Sequence, residues 1–347
     1  MRLLVKFLGG LKKYFWLLIT LFFISIIGVF GLTASRYLSQ LNVKPQNLLN
    51  FFGTPQESLD STGGFTNFLI LGIRGEGTDS RDLSDTIILV SYNHDHQSTT
   101  LVGVPRDLWV PSLKAKINTA YYYGEQASPG AGIKFAQAAI LEDLGLPVHY
   151  TAVVNFTLFK QAIDLVGGID LDINPGFVDE EFPIPGREKV LPISSRYETV
   201  VFATGSAHMN GETALKFVRS RHSVGDEGTD FARSARQQQI ISALRQKIVN
   251  PSFLLDQKKV TALLDIVNGN LLSNIGHDLY PTLAKLALDT IDKPVITLPL
   301  TASPDQDGLT ILYHPPTIKY EGEWVLIPKD NNWNALKQYL KNHLTQP

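Results

Sequence analysis

Apolar residues are concentrated first in one long run and afterwards in short segments separated by polar turns. From Tyr14 to Ser35 the chain has 22 residues without a charge, mostly Leu, Ile, Phe and Val. As a helix this run is about 33 Å long, enough to cross the hydrocarbon core of a bilayer. Four basic residues precede it: Arg2, Lys6, Lys12 and Lys13. Because positive charge is retained in the cytoplasm, the pattern predicts a transmembrane signal anchor with the N-terminus inside.

A cleaved signal peptide is the alternative interpretation of the same run. The run is long for the apolar part of a signal peptide, and "GLTAS" is only a passable cleavage site. We therefore expect a single-pass protein of the cell membrane whose remainder is extracytoplasmic. The predicted divisions are a cytoplasmic tail (1–13), the anchor (14–35), a stalk (36–65), a main domain (66–250) and the C-terminal part of the same domain (251–347).

Beyond residue 65, short β-branched segments alternate with segments of helical periodicity. Strands are predicted at 68–73, 85–93, 99–105, 167–173, 295–300 and 322–329. Helices are predicted at about 131–144, 156–166, 211–218, 230–249, 258–266 and 279–290, with a last one from Trp333. Residues 175–200 contain Pro and Gly and are expected to be irregular. Alternating strands and helices predict a layered α/β domain with helices on both faces of the sheet.

The second predicted strand has the character of a central strand. Its middle, Thr86 to Val90, is apolar almost throughout, as in strands that are covered on both faces. The short polar segment "NHDHQS" separates it from the third strand, so we expect these two strands to form a hairpin.

Composition and charge exclude several classes of function. The chain has no cysteine, which excludes disulfides, thiol nucleophiles and cysteine metal sites. From Arg36 onward there are 27 basic and 33 acidic residues, a formal charge of −6. Nucleic acid and anionic lipid surfaces are therefore not expected as partners. No P-loop, zinc-protease or nucleophile-elbow motif is present.

Four arginines nevertheless lie close together in the sequence: Arg219, Arg221, Arg233 and Arg236. The first two follow a short helix that Asn210 is expected to cap. Since they are two residues apart, their side chains point the same way if the backbone is extended.

The other two arginines belong to the next predicted helix, which we expect Asp230 to cap. Arg233 and Gln237 are four residues apart and fall on the same face as the apolar residues of that helix. An inward-facing arginine is costly unless it is paired or faces a ligand cleft. Arg236 lies to the side and is expected to be solvated.

Two interpretations of these arginines remain open. One is a buried structural ion pair with an acidic residue of the intervening loop, Asp226, Glu227 or Asp230. The other is a cleft for a polyanion, because guanidinium groups match phosphate oxygens through paired hydrogen bonds.

Two further candidates lie at predicted strand ends, where ligand sites gather in open α/β sheets. Asp85 begins the second strand, where a carboxylate suits Mg²⁺, and Asp79 or Asp82 is close enough in sequence to add a second ligand. Arg106 and Asp107 follow the third strand and Pro105. The alternatives are a turn-capping aspartate at Asp85 and a surface ion pair at Arg106 and Asp107.

In this order, these features resemble the LytR–CpsA–Psr (LCP) family. The matching stretches are "NFLILGIRGEG", "LSDTIILVSYN", "LVGVPRDLWV", "KINTAYYYG", "AVVNFTLFKQAIDLVGGIDLDI", "MNGETALKFVRSRH" and "DFARSARQQQII". Together they span residues 67–241, whereas residues 250–347 match only loosely.

The resemblance implies an α/β/α fold with a mixed sheet and a membrane-anchored phosphotransferase of the cell envelope. Such enzymes transfer a glycopolymer from a polyprenyl-pyrophosphate carrier to a peptidoglycan sugar hydroxyl and form a phosphodiester. The implied pyrophosphate ligands are Arg106, Arg219, Arg221, Arg233 and Gln237. The implied Mg²⁺ ligand is Asp85, and Asp107 or a metal-bound water is the candidate base.

The sequence departs from the family pattern at two positions. Many relatives have an Asp where this chain has Arg74, and an Arg where it has Leu83. The second metal ligand is therefore open between Asp79 and Asp82, and Arg74 is a candidate to replace the missing arginine. Two other functions remain open: a polyprenyl-pyrophosphate hydrolase, and a non-catalytic regulator that binds the lipid carrier.

Overall fold

The computed structural model describes residues 53, 58–75, 81–187, 189–290, 293, 295–302 and 310–345. The predicted cytoplasmic tail, the predicted anchor and most of the predicted stalk lie outside these residues. Within them, no helix combines the length and the apolar character that a membrane crossing requires. The anchor and the predicted domain boundaries therefore stay predictions.

The chain divides into two compact units. One comprises Met1–Ser58 and Gly276–Leu286, and the other Leu59–Ile275 and Ala287–Pro347. In the first unit the described residues are chiefly Gly276–Leu286, which form a short 3-10 helix and most of one α-helix. The second unit contains the strands and every other labelled helix.

The strands and helices have the following bounds. The strands are β1 Phe65–Ile73, β2 Ser84–Asn93, β3 Ser98–Gly103, β4 Trp109–Val110, β5 Ala115–Lys116, β6 Tyr150–Asn155, β7 Ile169–Ile173, β8 Phe177–Pro183, β9 Tyr197–Phe202, β10 Gly205–Met209, β11 Leu272–Ser273, β12 Val295–Pro299, β13 Leu312–Tyr313 and β14 Ile327–Pro328. The helices are α1 Ala120–Ala127, α2 Gly132–Leu144, α3 Phe156–Leu165, α4 Gly211–Arg219, α5 Asp230–Ile248, α6 Pro251–Leu254, α7 Gln257–Asn270, α8 Tyr280–Asp289 and α9 Trp333–Leu344.

The main sheet has six strands in the order β11-β6-β1-β2-β3-β12. β2 pairs antiparallel with both β1 and β3, whereas β6 lies parallel to β1 and β12 lies parallel to β3. The sheet is therefore mixed, and the predicted hairpin of the second and third strands is confirmed. β2 is central and buried along most of its length, as its apolar middle predicts.

Two apolar clusters stabilise the second unit. The first joins alternate residues of β1, β2 and β3 to helices α1, α2 and α9, with Leu69, Leu89 and Leu336 fully buried. The second joins helices α3, α4 and α5 to strands β7–β10, around Ile163 and Phe217. Burial of side chains of this size contributes about 1.5–3 kcal/mol each relative to exposure, so these clusters fix how the helices pack.

The structure corrects several sequence predictions. Residues 175–200, expected to be irregular, contain the hairpin β8–β9, because Phe177, Phe182, Val200 and Phe202 bury against helix α4 despite the intervening Pro and Gly. The strand predicted at 322–329 is reduced to Ile327–Pro328. Helix α1 was not predicted from the sequence.

The helix caps agree with the sequence predictions only in part. Asn210 caps α4 as expected. Thr229 rather than Asp230 caps α5, because its hydroxyl accepts the Ala232 N–H.

A buried carboxyl group lies on helix α2. Asp143 is 0% exposed, and neither of its carboxyl oxygens has a hydrogen-bond partner among the described residues. Burial raises its pKa to about 8, the charge of Glu142 adds to the rise, and Lys337 opposes it. The side chain is therefore protonated in the folded protein at neutral pH.

Replacement of Asp143 by Asn is expected to remove a pH-dependent loss of stability. The folded protein holds a proton on Asp143 that the unfolded chain releases near pH 4, so the contribution of Asp143 to the free energy of unfolding falls from about pH 4 to about pH 8 and then levels off. Between pH 6 and pH 8 the wild type should lose about 2 kcal/mol relative to Asp143→Asn. Urea unfolding at several pH values measures this difference, and parallel profiles for the two proteins would contradict it.

Candidate functional site

The candidate site begins at an irregularity where β1 pairs with β2. Gly72 pairs with Thr86 but Ile73 pairs with Ser84, so Asp85 is an extra residue in the ladder. A β-bulge re-aims side chains, and here it lies at the end of a central strand. A Cβ at Gly72 would come within 2.9 Å of the Thr86 Cβ, so glycine is needed for this close approach.

Two arginines bind the Asp85 carboxylate, one on each oxygen. Arg74 Nε lies 3.0 Å from Oδ2 and Arg106 Nη1 lies 2.8 Å from Oδ1. Burial raises the pKa of Asp85, but the charges and hydrogen bonds of Arg74 and Arg106 outweigh burial, so its pKa lies below its usual value. Asp85 is therefore ionised and holds both guanidinium groups in place.

Arg106 is oriented by its sequence neighbour. Pro105 ends the ladder of β3, and Arg106 Nε then lies 3.4 Å from Asp107 Oδ2. Asp107 is buried, and its Oδ1 accepts from Lys116 Nζ at 3.2 Å. These contacts fit Asp107 as the residue that positions Arg106, rather than as the surface pair considered from sequence. Its candidate role as a base stays a prediction.

Arg219 approaches the same carboxylate from helix α4. Its guanidinium lies 4.8 Å from the ring centre of Phe156 and 5.2 Å from that of Phe182. Burial, and then the positive charge of Arg74, lower the pKa of Arg219, whereas Asp85 raises it. The faces of these two aromatic rings therefore stabilise the Arg219 cation, which the positive charge of Arg74 repels.

A cavity of about 190 Å³ lies beside Asp85. Helix α5 contributes Arg233 and Gln237 to its wall, as the helical spacing predicted. Arg233 is 9% exposed, and Gln237 Nε2 donates to Thr86 Oγ1 at 2.9 Å. The cavity therefore joins the two positions predicted on α5 to the aspartate predicted at the start of β2.

The remaining two arginines lie elsewhere. The prediction that Arg236 is solvated is wrong, because it is 3% exposed and donates to Glu227 Oε2 at 2.9 Å and to the Ser220 carbonyl at 2.7 Å. The buried structural ion pair, one of the two interpretations of these arginines, is therefore formed by Arg236 with Glu227. Arg221 is exposed and is not part of the cavity wall, so its assignment as a ligand stays a prediction.

Two features of the site were missed from sequence. Asp179, fully buried on β8, accepts the backbone N–H of Arg221 at 2.8 Å and so fixes the segment that follows Arg219. Trp324 lines the cavity, is 45% exposed and stacks on His314 with ring centres 4.9 Å apart. No local sequence signal marks either feature, because the burial of Asp179 and the exposure of Trp324 depend on tertiary contacts.

The described residues do not fit a resident Mg²⁺ ion. Both oxygens of Asp85 accept from guanidinium groups, and Asp82 pairs with Arg81 Nε at 3.0 Å. Asp79 lies outside the described residues. Within the described part of the chain, no three His, Cys, Asp or Glu side chains form a metal-binding group. The magnesium prediction therefore stays a prediction for the substrate-bound protein.

The charges of the site suit an anion with two negative charges. Around Asp85 lie Arg74, Arg106, Arg219 and Arg233, which leaves a formal excess of three positive charges. Lys116 pairs with both Asp107 and Glu323, so this group carries one negative charge and lowers the excess to two. A pyrophosphate diester, with two negative charges, neutralises this excess, and guanidinium forks match its oxygens.

Comparison with known proteins identifies the family. The sequence pattern of the LytR_cpsA_psr (LytR–CpsA–Psr) family matches residues 39–336. The chain belongs to this family. The LytR–CpsA–Psr resemblance drawn from the sequence is thereby confirmed, and the match extends well into the C-terminal part that resembled the family only loosely.

Relatives and solved structures agree with this membership. Polyisoprenyl-teichoic acid–peptidoglycan teichoic acid transferase TagU of Bacillus cereus is 27% identical over 260 residues, which cover 74% of this chain and 75% of TagU. The crystal structure of Bacillus subtilis TagV superposes with a TM-score of 0.56 at 24% identity, covering 83% of this chain and all of that one. The structure of TagT bound to LIIa-WTA superposes with a TM-score of 0.55 at 22% identity. The superposition covers 82% of this chain and 92% of the TagT chain. The predicted α/β fold with a mixed sheet is confirmed.

Proposed function

We propose that this protein transfers a glycopolymer from a polyprenyl-pyrophosphate carrier to a sugar hydroxyl of peptidoglycan and so forms a phosphodiester. The observation that carries the proposal is the pairing of Arg74 and Arg106 with Asp85, beside a cavity that Asp85 and Arg233 line. The name of the Bacillus cereus relative supports it, since that protein is a polyisoprenyl-teichoic acid–peptidoglycan teichoic acid transferase.

In the proposed reaction the acceptor hydroxyl attacks the phosphorus that carries the glycopolymer. The new P–O bond forms to the acceptor oxygen, and the P–O bond to the bridging oxygen breaks. Prenyl phosphate leaves with that electron pair, and the hydroxyl proton is released to a base or to solvent. The protein mainly positions the groups and neutralises charge, as in other phosphoryl transfers.

Each residue of the site has a task in this proposal. Arg106 and Arg219 bind the pyrophosphate oxygens, and Arg233 binds them from helix α5. Gln237, already oriented by Thr86, donates a neutral hydrogen bond. Asp85 holds Arg74 and Arg106 in position and Asp107 orients Arg106.

We also propose that residues 14–35 anchor the protein in the cell membrane, with the catalytic part outside. The support is the uncharged run and the basic residues before it. An anchored enzyme stays close to a lipid carrier whose prenyl chain lies in the same membrane.

A transfer assay tests the proposed function. We expect the full-length protein in detergent to join a short polyprenyl-pyrophosphate oligosaccharide to peptidoglycan fragments, with a phosphodiester detectable by mass spectrometry. Prenyl phosphate should appear in equal amount. Released oligosaccharide phosphate without linkage would instead indicate a hydrolase, and binding of the lipid without any turnover would indicate a non-catalytic regulator.

A further inference from the structure

Arg74 occupies a position at which a divalent ion would otherwise be expected. Its Nε lies 3.0 Å from Asp85 Oδ2, the oxygen that Arg106 does not bind. The Arg74 side chain is 33% exposed and that of Asp85 25% exposed, so the pair faces the site but is partly shielded from water. A cation that bound Oδ2 would have to displace this guanidinium.

The backbone around Arg74 is built to hold it there. Arg74 directly follows β1, at the bulge that presents Asp85. The next residue, Gly75, has φ of 85°, and its N–H donates to the Arg81 carbonyl at 3.0 Å. Glycine adopts this conformation at little cost. The backbone of Arg74 is therefore fixed between the end of β1 and the hydrogen bond that Gly75 makes to Arg81.

The other charges of the site oppose a divalent ion. A cation at Asp85 would lie next to Arg74 and Arg106, with Arg219 close enough to interact with Arg74 and Asp85. Mg²⁺ also keeps several waters and requires near-octahedral oxygen ligands. Asp107 cannot readily supply one, since Arg106 and Lys116 already bind its two oxygens.

We propose that Arg74 supplies, as a fixed cation, the charge that a divalent ion would otherwise supply beside Asp85, so that this protein binds and transfers its substrate without a divalent metal. The inference rests on the proposed function for the identity of the anion, a lipid pyrophosphate. Arginine suits the task because it stays protonated and presents several N–H donors in a planar fork. In the reaction Arg74 and Arg106 together stabilise the charge that develops on the leaving prenyl phosphate.

Binding measurements on the full-length protein in detergent test this role directly. Titration calorimetry would measure Mg²⁺ alone, and then farnesyl pyrophosphate in EDTA and in Mg²⁺. For the wild type we expect no saturable Mg²⁺ binding, and an affinity for farnesyl pyrophosphate that changes less than about threefold between EDTA and Mg²⁺. Transfer should likewise persist in EDTA.

Two substitutions of Arg74 test the proposal in opposite directions, since one removes the fixed cation and the other replaces it with a carboxylate. Arg74→Gln should weaken farnesyl pyrophosphate binding in EDTA by about tenfold or more, and Mg²⁺ should restore much of it. Arg74→Asp places a second carboxylate beside Asp85 and should create saturable Mg²⁺ binding in the free protein. Arg81→Gln is the matched control, because Arg81 lies in the same loop, is 59% exposed and pairs with Asp82 rather than Asp85.

The outcomes separate this inference from the proposed function. Any of three results would overturn the role of Arg74. These are saturable Mg²⁺ binding by the free wild type, loss of farnesyl pyrophosphate binding by the wild type in EDTA, and unchanged farnesyl pyrophosphate binding by Arg74→Gln. Metal-independent binding that Arg74→Gln weakens, with no transfer product under any condition, would support Arg74 and overturn the transferase. Failure of the wild type to bind farnesyl pyrophosphate at all would overturn both.

Discussion

Arg106→Ala is expected to reduce glycopolymer transfer by about 100- to 1,000-fold, the cost of losing one donor to the charge that develops in comparable reactions. The fold should survive the substitution. Asp85 keeps Arg74, and Asp107 keeps Lys116, so neither carboxylate loses all of its partners. The measurement is the initial rate of phosphodiester formation, with urea unfolding of the same preparation.

Arg106→Lys is the informative companion variant. Lysine keeps the positive charge but lacks the fork that reaches Asp85 through Nη1 and Asp107 through Nε. We expect transfer between that of the wild type and that of Arg106→Ala. Transfer by Arg106→Ala within a few-fold of the wild-type rate would show that the group of arginines around Asp85 is not the pyrophosphate site.

Arg236→Ala is expected to act on stability instead, lowering the free energy of unfolding by about 3 kcal/mol or more. Its hydrogen bonds and its contacts with aromatic rings are lost together, including a hydrogen bond to the Glu227 backbone carbonyl. The guanidinium donates to Glu227 and to the Ser220 carbonyl, and it lies 4.4 Å from the ring centre of Phe177. The carbonyl and the carboxylate are left behind without this donor. Urea unfolding measures the loss.

The matched control for Arg236 is on the same helix. Lys247 pairs with Asp170 at 2.6 Å, but the two side chains are 38% and 56% exposed. Lys247→Ala should therefore leave the free energy of unfolding close to the wild-type value, as the loss of exposed ion pairs does. If Arg236→Ala kept wild-type stability while transfer disappeared, Arg236 would belong to the substrate site and its structural assignment would be wrong.

Local sequence patterns predicted the structure correctly where the interactions that determine it lie close together along the chain. The apolar middle of β2 predicted a central strand, and the polar turn after it predicted the hairpin with β3. Asn210 was correctly read as a helix cap. The four-residue spacing placed Arg233 and Gln237 on one face of α5, and both line the cavity. These features depend on periodicity and on short-range hydrogen bonds, which the sequence records directly.

Contacts between distant segments could not be read in this way. The local pattern predicts irregular chain where the hairpin β8–β9 lies, because its aromatic residues are recognisable as a core only once helix α4 packs on them. Asp179 in that hairpin then holds the segment after Arg219, which is about 40 residues further on. Pairing across such separations depends on how the elements pack.

The sequence by itself determined the family, the α/β class, and which strand ends and which helix face would carry the charged residues. Only the tertiary structure decided the partner of each charge. Arg233 and Arg236 have the same chemistry and are three residues apart, yet one lines the cavity and the other is buried against Glu227 and Ser220. The physical reason is that the energy of a charge depends on its burial and on its partners. Both are set by the folded chain and not by the local sequence pattern.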